Sequence, residues 1–134
     1  MTAQEAIRTV LVADDDPDIR GVLAMILELG GYEVTVADNG GSAGELALAL
    51  LPDVIVLDVM MPVSDGFSVL RELRQDERTA AIPIVLLTAK ASDQDAWDGW
   101  QAGATYYMTK PFDPDHLLRF LDYLSDPEGC PLPS

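Results

Sequence analysis

Five short apolar runs alternate with five segments of helical periodicity along the chain. The apolar runs predict strands at Thr9–Ala13, Glu33–Ala37, Val54–Leu57, Ile84–Leu87 and Thr105–Thr109. Between them, apolar positions recurring every three or four residues predict helices at Pro17–Leu29, Ala43–Leu51, Phe67–Gln75, Gln94–Ala102 and Pro114–Leu124. The run Val54-Ile55-Val56-Leu57 has no polar interruption, as expected of a strand covered on both faces of a parallel sheet. Strict alternation of strand and helix predicts an α/β fold, a parallel sheet with helices on both sides.

The residues between elements support these bounds. Asp16 before Pro17, and Asp113 before Pro114, each pair a capping carboxylate with a proline at the first helical position. Ser42, three residues before Glu45, has capping-box spacing and predicts the start of the second helix, which Gly40, Gly41 and Gly44 weaken. Gly30-Gly31 and Gly103 mark helix ends. Residues 1–124 read as one domain, and the proline-containing stretch 125–134 reads as a flexible tail.

Composition adds three constraints. At 134 residues, 49% hydrophobic and 23% charged, the chain suits one folded domain. The net charge of −15 repels phosphate backbones and argues against direct DNA binding. The lone cysteine, Cys130, permits no internal disulfide, and no uninterrupted apolar stretch predicts a membrane span, so a cytoplasmic location is expected.

The chemistry lies at the strand ends. Ligands of open α/β sheets bind beyond the carboxyl ends of the strands. There the first strand delivers Asp14, Asp15 and Asp16, the third Asp58, the fourth Thr88 and the fifth Lys110. Crowded carboxylates repel one another, and a hard divalent cation such as Mg²⁺, with Mn²⁺ as a substitute, relieves that repulsion through oxygen ligands. A metal, an ammonium and a hydroxyl together match the three oxygens of a phosphoryl group, with Asp58 as its acceptor. Taken singly, each residue has an ordinary reading: Asp16 a cap, Asp58 a turn residue, Thr88 a strand residue, Lys110 a solvated cation. Four polar groups at four strand ends on one edge are what those separate readings leave unexplained.

From Thr9 to Leu124 the chain resembles the receiver domains of two-component response regulators. The resemblance rests on Val12-Ala13-Asp14-Asp15-Asp16-Pro17, on Leu57-Asp58-Val59-Met60-Met61-Pro62 with Asp65-Gly66, on Leu87-Thr88-Ala89 and on Lys110-Pro111-Phe112. It implies a flavodoxin-like, doubly wound, five-stranded sheet of order 2-1-3-4-5 with five helices. It further implies that Asp58 takes a phosphoryl group from a histidine kinase or histidine phosphotransfer protein. Asp14, Asp15, Asp58 and the backbone carbonyl of Met60 would hold Mg²⁺, and Thr88 and Lys110 would bind phosphoryl oxygens. Thr88 and Tyr107 would form the switch, while Met60 and Lys90 would tune the lifetime of the phosphoryl group. Tyr106, facing the other way, is expected in the core. Trp97 and Trp100 share one helix face, either as a partner contact or as cover for the sheet. The chain is expected to modify only itself and to act through an unidentified protein target, with homodimer formation on phosphorylation left open.

Three other readings compete. An aspartyl-phosphate phosphohydrolase needs a second acid near its nucleophile, whereas Asp58 is followed by Val59-Met60. A nucleotide-binding module needs a Gly- or Ser/Thr-rich phosphate loop after the first strand, and the loop here is acidic. A receiver-like docking module that is never phosphorylated remains compatible with the sequence.

Overall fold

The computed structural model describes residues 8–59, 66–88, 103–109 and 113–125. The apolar runs form strands β1 (Thr9–Ala13), β2 (Glu33–Ala37), β3 (Val54–Asp58), β4 (Ile84–Thr88) and β5 (Tyr106–Thr109). Helices α1 (Pro17–Leu29), α2 (Gly40–Leu50), α3 (Gly66–Gln75) and α4 (Pro114–Ser125) lie among them. The five strands pair in parallel in the order β2-β1-β3-β4-β5, the flavodoxin-like arrangement.

Alternation along each strand builds two core layers. Leu11, Ala13, Ile55, Leu57, Ile84 and Leu86 pack against Ala43, Ala47, Val69, Leu70 and Leu73 of α2 and α3. Val10, Val12, Val54, Val56, Val85 and Leu87 pack against Leu23, Leu27, Leu117, Phe120 and Leu121 of α1 and α4. Every residue of β3 and β4 is buried, so their register cannot slip without moving apolar side chains out of both layers. That rigidity fixes what stands at their ends.

Most bounds agree with the sequence reading to within a residue, and α2 is the exception. It starts at Gly40, capped by Asn39 rather than Ser42, with the Asn39 side chain accepting from the Ser42 amide at 2.8 Å. Gly40, Ala43, Gly44 and Ala47 form its buried face. Small side chains there bring the helix close to the sheet, and this packing outweighs the low intrinsic propensity of glycine. Leu51, expected as the last helical residue, is instead the cap, left-handed at φ 49° and ψ 61°.

The two proline-start caps form as expected: Asp16 accepts from the Asp18 amide and Asp113 from the Asp115 amide, each at 2.9 Å. Gly31 and Gly103, at φ 98° and 103°, turn the chain where a side chain would be strained. At the opposite end of the sheet from the candidate site, the Arg74 guanidinium donates to the carbonyls of Gly103, Ala80 and Ile82 at 2.9, 3.0 and 2.7 Å. It thereby ties α3 to the segments entering β4 and β5. The expected helix Gln94–Ala102, with Trp97 and Trp100, and the tail beyond Ser125 lie outside the described residues.

Candidate functional site at the carboxyl edge of the sheet

Strand register brings the site together. Ala13 pairs with Leu57, so Asp14 and Asp58 are the next residues of two adjacent strands. Asp58 pairs with Leu87, which puts Thr88 one step further along the neighbouring strand. Asp14, Asp58 and Thr88 are buried, at 0, 3 and 2% exposure, whereas Asp15 is exposed. One carboxylate oxygen from each of Asp14, Asp15 and Asp58 lies within 4.8 Å of the others. The cluster therefore has two sunken acids and one at its mouth.

Each carrier segment is held by backbone contacts. The Asp14 amide donates to the Ala37 carbonyl at 3.1 Å, and its Oδ1 accepts from the Asp16 amide at 2.9 Å. Beyond Asp58, the Val59 amide donates to the Leu87 carbonyl at 2.8 Å, and the Gly66 amide returns to the Val59 carbonyl at 3.0 Å. This return presses Gly66 onto the end of β3: a Cβ there would stand 2.5 Å from the Asp58 carbonyl oxygen.

The donor set suits a hard cation. Mg²⁺ takes oxygen ligands in octahedral geometry, whose neighbouring oxygens sit about 3 Å apart and opposite ones about 4 Å. Three carboxylate oxygens already within 4.8 Å need little closure to share one ion, directly or through water. Among the described residues no sulfur or imidazole ligand belongs to the cluster, so softer metals have no preferred partner there.

The remaining predicted residues fall in two groups. Tyr107 of β5, paired with Leu86 of β4, is half-buried against the core layer under α2 and α3. Tyr106 faces the other layer, its ring stacked on Phe120 with centroids 4.4 Å apart and planes 9° from parallel. Lys110, Met60 and Lys90 lie outside the described residues.

Two contributors were not singled out from sequence. Arg20, in the first turn of α1, donates from Nη1 to the Asp14 carbonyl at 2.9 Å. Its signal is spacing, because long helical side chains lean toward the N-terminus and a first-turn arginine can reach back over the cap. Gly66 belongs to the Asp-Gly motif, but its steric role depends on a loop closure that no local pattern reveals.

The described residues thus form a five-stranded, parallel α/β sheet with an acid triad at its carboxyl edge. The family model of the response regulator receiver domain matches residues 10–122. The chain belongs to that family and is a receiver domain of two-component signalling. It is 47% identical over 109 residues to the DNA-binding dual master transcriptional regulator RpaA of Synechocystis sp., covering 81% of this chain and 45% of that protein. It is 38% identical over 113 residues to Protein PilH of Pseudomonas aeruginosa, covering 84% of this chain and 93% of that one. Among solved structures, the receiver domain of sensor histidine kinase PA1611 from Pseudomonas aeruginosa PAO1, with a magnesium ion coordinated in its active site cleft, superposes with a TM-score of 0.82. That match has 35% identity and covers 90% of this chain and 98% of that one. The chain spans about half the length of several curated relatives that it matches. No helix among the described residues is long and apolar enough to cross a membrane.

Proposed function

We propose that the chain is a phosphorylation switch that accepts a phosphoryl group on Asp58 from a phosphohistidine of a histidine kinase or histidine phosphotransfer protein. The observation that carries this reading is the acid triad: Asp14, Asp15 and Asp58 present oxygens within 4.8 Å of one another at the carboxyl edge of the sheet. A carboxylate oxygen of Asp58 attacks phosphorus, the P–N bond to histidine breaks and an O–P bond forms. The imidazole nitrogen leaves with the electron pair of the broken bond and takes up a proton from solvent. Because Asp58 is 3% exposed, the donor approaches only from the open side, where Asp15 meets solvent.

Mg²⁺ held by Asp14, Asp15, Asp58 and the Met60 carbonyl would neutralise negative charge that builds on the phosphoryl oxygens. Thr88 and Lys110 bind the remaining oxygens, and a shift of Thr88 is followed by Tyr107, whose half-buried ring has both core and solvent available to it. The chain modifies only itself and signals through contact with a protein target. It works in the cytoplasm, in keeping with its lone cysteine and strong negative charge. Neither Met60 nor Lys90 offers a carboxylate or amide to orient an attacking water, so the acyl phosphate persists.

Intact-mass measurement after incubation with acetyl phosphate and Mg²⁺ tests the assignment. Wild type gains one phosphoryl adduct and Asp58→Asn gains none. An unmodified wild type, or equal adducts on both, would overturn it in favour of a docking module that is never phosphorylated. The decay of the adduct after acetyl phosphate is removed measures the lifetime.

A further inference from the structure

Asp14 and Asp15 need to be held in place against their mutual repulsion. Both lie between the last residue of β1 and the Asp16 cap of α1, in a segment with no regular structure of its own. The Asp14 amide and Oδ1 are occupied by Ala37 and Asp16. Its carbonyl is engaged by a charged donor, Arg20 Nη1, at 2.9 Å.

Arg20 stands among Asp14, Asp15, Asp16, Asp18 and Asp38, yet the only ion pair among the described residues joins Arg78 to Asp76. Its guanidinium is spent on a backbone carbonyl and not on any of these carboxylates. That bond fixes the peptide between Asp14 and Asp15. The arginine is itself fixed, because its amide donates to the Asp16 carbonyl at 2.9 Å in the first turn of α1, a helix anchored by buried Leu23 and Leu27. Beside it lies a cavity of about 290 Å³ lined also by Ala37, Asp38 and Ser42.

We propose that Arg20 is a positioning residue for the divalent cation: by clamping the Asp14 carbonyl, it holds the Asp14 and Asp15 carboxylates in a binding-ready arrangement. This rests on the reading of the triad as the Mg²⁺ site. The sign of the effect is diagnostic. A nearby positive charge with no positioning role repels Mg²⁺, so its removal would tighten binding. A clamp does the reverse, since partners that orient metal ligands are typically worth roughly 10–100-fold in affinity.

The test is titration calorimetry of the full chain with Mg²⁺ alone, on wild type, Arg20→Met and Arg20→Lys, with circular dichroism as the check on folding. Arg20→Met is expected to bind Mg²⁺ roughly 10–100-fold more weakly, and Arg20→Lys, which restores a charged donor, falls between the two. Equal or tighter binding by folded Arg20→Met overturns the proposal. Should Arg20→Met fail to fold, Arg20→Lys decides alone: a loss of affinity supports the clamp, and wild-type affinity overturns it. A wild type that takes up no Mg²⁺ overturns the triad reading itself and this proposal with it, a result distinct from the variant outcomes.

Discussion

Gly66→Ala is the sharpest probe of how the fold holds Asp58. A Cβ at this buried position would lie 2.5 Å from the Asp58 carbonyl oxygen, 2.9 Å from Val59 Cα and 3.1 Å from the Asp58 carbonyl carbon. All three are backbone atoms at the end of a fully buried strand, so no flexible side chain can give way. Restoring ordinary contact with the oxygen means a retreat of roughly 0.9 Å by the end of β3 or the start of α3. Forced overpacking costs about 1–3 kcal/mol, and the rigid neighbours here put the expected cost near the upper end. At this chain length about 3 kcal/mol lowers Tm by roughly 10 °C. If the strand end yields, Asp58 shifts with it, and a misplacement of about 1 Å can slow the chemistry about 100-fold.

Gly21→Ala supplies the control. The same methyl group is added in the exposed middle of α1, where a Cβ meets nothing within 4 Å. It should stabilise by about 0.5–1 kcal/mol through helix propensity and leave phosphorylation unchanged. Thermal melts and the rate of modification by acetyl phosphate, measured on both variants, separate the two effects. The reasoning is refuted if Gly66→Ala melts with wild type and is phosphorylated at the wild-type rate.

Two further predictions concern the scaffold. Arg74→Met removes a guanidinium that bridges four carbonyls and the Thr105 hydroxyl, and should cost about 2–4 kcal/mol in urea unfolding. Amide exchange should rise over 79–82 and 103–105 more than in β1 or β3; a loss under about 1 kcal/mol would show the bonds to be replaceable by water. The Tyr32 phenol, pushed up to about 12 by burial and then by the charge and hydrogen bond of Asp122, should titrate late in an ultraviolet absorbance scan. Its folded value lies above the unfolded 10, so its contribution is complete below pH 10 and is lost as pH rises through about 12. Tyr32→Phe should abolish that part of the alkaline stability loss, and Asp122→Asn should move the titration toward 10.

Local chemistry made much of this visible in advance. The unbroken apolar run before Asp58 identified a central strand, and Asp-Pro pairs located the starts of α1 and α4. The α2 boundary was missed because Asn39 and Ser42 are comparable caps. The choice between them was made by the packing of Gly40, Ala43, Gly44 and Ala47 on the sheet. Asp14, Asp15 and Asp58 were identified as a cluster because strand ends of a parallel sheet must share an edge, and that requires only the order of elements.

What the sequence determined by itself was which residues end the strands, since hydrophobic periodicity and capping act over a few neighbouring positions. The tertiary structure alone decided how those ends are held: the register that sets Asp14 beside Asp58, the Gly66 return against the strand, and the Arg20 clamp on the Asp14 carbonyl. Each depends on a distance across a gap in the chain. Such distances come from the packing of two core layers on one sheet, which no local window contains.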